Sequence, residues 1–329
     1  MINRRTLVLG TLALPASASV WAPRAFAGAP VLKVAAVKFG SVNWLLETIK
    51  AEGIDTKLGL EIAPVELANN QEGPISLLSG GSDIIVSDWP WALRQRGLGE
   101  PLKFAPYSAT LGGVMVASPS PVNSLTDLAG KRLGVAGSSI DKSWLLLQAY
   151  AKKMLNFDIA NKATIQFGAA PLLTEQVRDG GLDAALNFWT QNMRLSSLGF
   201  REVLSMSDVL KGLGVNPVPA FVGFIWKEQT EATKLNEIVT FLAAASAANE
   251  VLAKSDAAWA RLKPIMKAGN DAEFAKLRAA YCAGIVPAWR EADMKSAERI
   301  MQLLIEQGDT ELVGAKTTFD PKLFHVQRA

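Results

Sequence analysis

Residues 79–89 read SGGSDIIVSDW, and residues 179–189 read DGGLDAALNFW. Both run Gly-Gly-x-Asp, then five residues, then a tryptophan, and Trp89 and Trp189 stand 100 positions apart. The same offset relates residues 32–46, LKVAAVKFGSVNWLL, to residues 132–146, RLGVAGSSIDKSWLL, so that Trp44-Leu45-Leu46 answers Trp144-Leu145-Leu146. Short periods signal solenoids. A unit of this length is domain-sized, and the repeat predicts two lobes of similar build. In each copy Gly-Gly closes a short helix and Asp opens the next strand, because glycine past a helix end takes the left-handed backbone that other residues resist.

The pattern inside the units alternates short apolar runs with helical periodicity. It predicts strands at 31–37, 60–67, 83–86, 102–106 and 113–117, with helices at 44–51 and 74–78 between the early ones. It restarts with a helical turn at 124–129 and strands at 132–136, 163–167 and 183–187, separated by helices at 141–155 and 172–178. Strands alternating with helices build parallel sheet from βαβ units, so the fold class is α/β. Ser118-Pro119-Ser120-Pro121 and the run GLGVNPVP at 212–219 break that pattern. They place a middle lobe at 118–220, leaving 28–117 and 221–329 as a discontinuous first lobe joined to it by two crossings.

After a strand at 221–226 the rest is helical. Ile238, Phe241, Leu242, Ala245 and Leu252 share one face, as do Ala297, Ile300, Met301, Leu304 and Ile305, with Gly308 placed to stop the second helix. This tail has no counterpart in the middle lobe and is expected to pack back onto the first.

Residues 1–27 are expected to be removed. Arg4-Arg5 precede an apolar run from Thr6 to Val20, and Ala25-Phe26-Ala27 is a small-residue cleavage signal, so export to the periplasm with cleavage near Ala27 is predicted. Asn3-Arg4-Arg5-Thr6-Leu7-Val8 is twin-arginine-like, although two arginines also fit an ordinary secretory leader. The run is too short to span a bilayer. Losing Arg4, Arg5 and Arg24 leaves the basic residues equal in number to the 31 acidic ones, which removes the charge a nucleic-acid partner would need. One cysteine, Cys282, forbids an intrachain disulfide, and with a single histidine, His325, the usual zinc sites and a Ser-His-Asp triad lose their ligands. No metal and no cofactor are expected.

Site candidates come from where an open α/β sheet receives ligands, beyond the carboxyl ends of its strands. Trp89 and Trp189 fall there, with Asp88, Trp91 and Asn187 beside them; ligand contact and plain covering of the sheet both fit these tryptophans. The turn Gly137-Ser138-Ser139 leads into a helix whose free N–H groups and dipole suit an anion. Ser138 and Ser139 add donors, while Asp141 is either the helix cap or a partner for a cationic group, and Lys142 follows. The matching turn of the first unit offers Lys38, Ser41 and Asn43. Tyr107, Thr110 and the polar run 69–73 are weaker candidates.

These stretches together resemble a known family. LKVAAVKFGSVNWLL, the Gly-Gly-x-Asp unit ending SDWPW, LTDLAGKRLGVAGSS and the second unit ending ALNFW look like a periplasmic solute-binding protein of an ABC importer. They most resemble the branch of aliphatic sulfonate, taurine, nitrate and thiamine-precursor binders. The resemblance implies a two-lobe periplasmic-binding-protein fold, type II like, that closes on a small organic anionic or zwitterionic ligand and delivers it to an ABC permease and its ATPase. The chain would act as a monomer and not as an enzyme. The alternative is an enzyme on the same fold, working on a small heterocycle or organic acid through Asp88, Asp141 or Lys142.

Overall fold

Alternating apolar residues begin the chain as strand β1 (Val31–Val37), and each apolar run that follows is paired with an amphipathic helix. The computed structural model describes residues 29–38, 40–286, 289–306 and 317–325; the expected export signal and the Gly308 helix stop lie outside them. The first unit continues with α1 (Val42–Ala51), α2 (Ile54–Lys57), β2 (Glu61–Leu67), α3 (Glu72–Ser79), β3 (Ile84–Asp88), α4 (Trp89–Gly97) and β4 (Leu102–Ser108). The second contains β5 (Gly113–Val116), β6 (Arg132–Ala136), α5 (Lys142–Leu155), α6 (Ile159–Lys162), β7 (Thr164–Gly168), α7 (Ala170–Arg178) and β8 (Ala184–Asn187). It ends with α8 (Trp189–Ser197), β9 (Arg201–Ser205) and α9 (Met206–Gly212). Strand β10 (Val222–Lys227) leads into α10 (Glu228–Lys254), α11 (Asp256–Met266), α12 (Asp271–Ala283) and α13 (Glu291–Glu306).

The strands form two five-stranded sheets of matching topology, β2-β1-β3-β10-β4 and β7-β6-β8-β5-β9. Four strands of each run in one direction, and the fourth in order is antiparallel to both its neighbours. That antiparallel strand, β10 or β5, is the first strand the chain makes after crossing over. Here the structure corrects the expected boundary. Strand β5, placed by sequence in the first lobe, belongs to the second sheet, so the chain changes sheets at 109–112 and not near 118. The Ser-Pro-Ser-Pro turn lies wholly inside the second unit. The return runs through 213–221.

The repeated motif has a structural cause. Gly80 and Gly180 have φ of 80° and 76°, the left-handed backbone that ends α3 and α7. Asp83 accepts the Lys33 N–H at 2.8 Å while its own N–H donates to the Lys33 carbonyl at 2.9 Å. Asp183 does the same with Arg132, at 2.8 and 3.0 Å. Each aspartate therefore clamps the start of its sheet's central strand, in the same register in both units.

Helices α1, α10 and α11 cover one face of the first sheet, burying Trp44, Leu45, Trp226, Phe241 and Trp259 in a common core. Removing each such side chain from water is worth roughly 1.5–3 kcal/mol. The tail divides in a way the pattern did not foresee. Ala297, Ile300, Met301 and Leu304 of α13 are buried, but α13 packs on α5 of the second unit instead of returning to the first. Ile305, placed on the same face by its spacing, is exposed.

Candidate functional site

The carboxyl ends of β1, β3 and β4 and the start of α5 face each other across a cavity of 230 Å³, completed by residues that follow β8. The first sheet contributes Val37, Ser87 and Asp88, and the loop after β2 contributes Asn70. The second contributes Lys142 and Ser143 from the first turn of α5, with Phe188, Trp189 and Thr190 at the start of α8. The crossing at 109–112 forms part of its wall through Thr110, Leu111 and Gly112. Gly112 has to be glycine, because a Cβ there would sit 1.8 Å from the Asn187 carbonyl oxygen. The backbone of the crossing is thus pressed against the end of β8 and the cavity is closed on that side.

The sequence candidates separate into two groups. Ser41, Asp88, Lys142 and Trp189 line the cavity, and so do the weaker candidates Tyr107, Thr110 and, from the polar run 69–73, Asn70. The Ser41 hydroxyl accepts a hydrogen bond from Tyr107 at 3.1 Å, and burial pushes the Tyr107 phenol up to about 12, partly offset by hydrogen bonds with Ser41 and Tyr281. Trp189 stands edge-on to Trp44 of α1, with ring centroids 6.0 Å apart.

The others are used elsewhere. Trp89 is fully buried, stacked on Phe221 at 5.5 Å and edge-on to Phe324, so it covers the sheet end and does not meet the cavity. Trp91 packs against the same core and gives its N–H to Asp88 Oδ1, at 3.0 Å. Asn43 spends its amide on the Val37 and Lys38 carbonyls, each at 2.8 Å, which fixes the turn after β1. Lys38 pairs at the surface with Glu66 at 2.9 Å. Asn187 is buried and ties β8 to α7 through Ala170 and Thr174. Ser138 and Ser139 lie outside the cavity lining. Phe188, Thr190, Ser108 and Leu111 were missed; apart from their nearness to a strand end, nothing in the sequence marks them.

The start of α5 carries the decisive electrostatics. Asp141 is the helix cap: its Oδ1 accepts the N–H groups of Ser143 at 2.8 Å and of Trp144 at 3.4 Å. The seat that the turn was expected to offer an external anion is therefore filled by the chain's own carboxylate. Burial raises the Asp141 pKa, with Lys142 and the two N–H groups pulling against it. Lys142 reaches across the cavity to Asp88 Oδ2, 3.1 Å away, joining the second unit to the first. Burial opposes the charge on Lys142, yet the carboxylates of Asp88 and Asp141 raise its pKa above the ordinary lysine value.

Two α/β sheets of matching topology carry an aromatic and polar cavity lined from both. The family model described as NMT1/THI5 like matches residues 50–256, and the chain belongs to that family. Among solved structures it is similar to the alkanesulfonate-binding protein SsuA from Xanthomonas axonopodis pv. citri bound to MOPS. That match has a TM-score of 0.69 and 15% identity, over 90% of this chain and 98% of that one. It is similar also to the periplasmic aliphatic sulphonate binding protein SsuA from Escherichia coli, with a TM-score of 0.67 and 17% identity over 88% and 95% of the two chains. A desulfurization enzyme, DSZB, shares the fold at a TM-score of 0.61 and 17% identity over 89% and 97%. No curated protein matches the chain significantly. At these identities the structural matches establish the two-lobe fold.

Proposed function

We propose that this chain is the extracytoplasmic solute-binding component of an ABC importer, exported by its first 27 residues and working in the periplasm. One lobe would comprise 29–108 with 222–283, the other 113–212 with α13 packed on it, and the crossings at 109–112 and 213–221 would bend as they close. The observation that carries this reading is the cavity itself, whose lining comes from both sheets and whose wall includes one of the crossings. A solute touching both lobes binds the closed arrangement better than the open one, and that difference is what drives closure. The closed form would then be what a permease and its ATPase recognise.

Catalysis on the same fold is the weaker reading. Lys142 is paired with Asp88, and Asp141 is spent on the helix cap, so neither stands free as a nucleophile or base. The test is a thermal-shift screen of small organic solutes, with small-angle scattering on any that bind. A binder should raise the melting temperature by mass action, shrink the radius of gyration and be recovered unchanged. Failure of every solute to shift either quantity would sink the reading, and recovery of a chemically altered solute would favour the enzyme.

A further inference from the structure

The charges around the cavity do not suit an anion. Among the described residues Lys142 is the only base lining it, and its ammonium is already held by Asp88 Oδ2 at 3.1 Å. Asp141 adds a second carboxylate close behind, near enough for its charge to be felt by both Lys142 and Asp88. Lys38, another candidate base, lies outside the cavity lining and pairs at the surface with Glu66. The helix N-terminus that would serve an oxyanion has given its N–H groups to Asp141. An entering sulfonate or carboxylate would thus lose its hydration and meet two carboxylates against one ammonium, and burying a charge without a partner is costly. A cationic nitrogen meets the opposite situation. It would find the Asp88 carboxylate, and the aromatic rings of Trp189 and Phe188 on the facing wall. Ring faces attract ammonium groups, most strongly when both are shielded from water.

We propose that the cleft selects an organic cation, a protonated or quaternary nitrogen on a compact apolar body, with Asp88 as its counter-ion and Trp189 as its platform. This rests on the solute-binding reading above and departs from the anionic or zwitterionic ligand that the sequence suggested, an expectation founded on Ser138 and Ser139. In binding, the cation displaces Lys142 from Asp88, and Asp141 keeps the released ammonium neutralised.

Three probes of one shape and different charge test it by calorimetric titration of the full exported chain: benzyltrimethylammonium, benzyl alcohol and benzenesulfonate. The cation should bind at least about tenfold more tightly than the other two, the scale of one charge-assisted contact. Asp88→Asn keeps the cap of α4, since Asn caps helices as well as Asp does. It should nevertheless weaken the cation by about tenfold and, by freeing Lys142, strengthen benzenesulfonate, a reversal that loss of structure would not produce. Lys142→Met should strengthen the cation. Preferential, Trp189-dependent binding of benzenesulfonate would overturn this inference and leave the solute-binding reading intact. If no probe of any charge binds, this inference is overturned, and the solute-binding reading is then decided by the wider thermal-shift screen.

Discussion

At the scale of single residues, two tryptophans in equivalent sequence positions have opposite roles. Trp89 and Trp189 each begin a helix just past a buried strand. Trp89 is covered by Phe221, from the returning crossing, and by Phe324, from the C-terminal segment. Among the described residues those segments have no counterpart over Trp189, which stays half-exposed in the cavity and leans on Trp44 of the opposite unit. Trp89→Ala should cost about 3–5 kcal/mol, the range for emptying a buried aromatic site, and should leave solute affinity unchanged in whatever remains folded. Trp189→Ala should cost only about 1 kcal/mol, the worth of one aromatic pair, yet abolish the solute-induced rise in melting temperature. Denaturant unfolding with and without solute separates the two.

Tyr107 gives the pH dependence. Its phenol has a pKa near 10 when unfolded and about 12 in the buried site, so between those values the folded chain holds a proton that the unfolded chain has lost. Stability contributed by this group is complete below pH 10 and falls away as pH climbs towards 12, by roughly 2–3 kcal/mol in all. Melting temperatures between pH 9 and pH 12 should show this decline, and Tyr107→Phe should make it shallower, with Tyr281, whose phenol burial also raises, carrying part of what remains; an equal decline in the variant would mean that other groups dominate.

At the scale of elements, what could be read from sequence was what local periodicity and turn chemistry encode. Nine of the described strands and the faces of α10 were legible because apolar spacing reports burial directly, whereas β9 (Arg201–Ser205), with its alternating charged and half-buried residues at a sheet edge, was not foreseen. Gly80 and Gly180 were legible because only glycine tolerates the backbone their helix ends require. Placement against distant segments was not. Strand β5 follows β4 closely in the chain, and nothing local says that it inserts between β8 and β9. Helix α13 shows an apolar face but not which helix will cover it, and it chose α5. The candidate site failed in the same way. Ser138 and Ser139 looked like anion donors, but one rotamer of Asp141 decides whether the helix start is open, and in the structure that carboxylate caps the helix. The ion pair between Asp88 and Lys142 joins residues 54 positions apart and was not legible as a pair.

At the scale of the whole molecule, the two units meet at more than the cavity. Helix α12, which packs with the first sheet's helices, lies on α8 of the second unit. There Arg194 donates to the Met266 and Lys267 carbonyls at 3.0 and 3.2 Å, closing the end of α11, and pairs with the buried Glu273. Helix α8 also carries Trp189 at its other end, so the contact that seats α8 against the first unit seats the binding platform as well. Removing the guanidinium leaves two terminal carbonyls and a carboxylate without their partner in the observed arrangement. Arrangements in which α8 and α12 separate should gain population at its expense. Apparent affinity scales with the fraction of molecules in the binding-competent form, so a tenfold fall in that fraction weakens binding about tenfold with no ligand contact touched. Arg194→Met should therefore enlarge the solute-free radius of gyration and lower affinity for every cleft ligand by a common factor, while the ranking of cation over anion persists. Saturating solute should restore the compact radius, because closure then draws on binding energy. A variant with unaltered scattering and affinity would show that Arg194 only caps α11, and the hinge would have to be sought in the crossings alone.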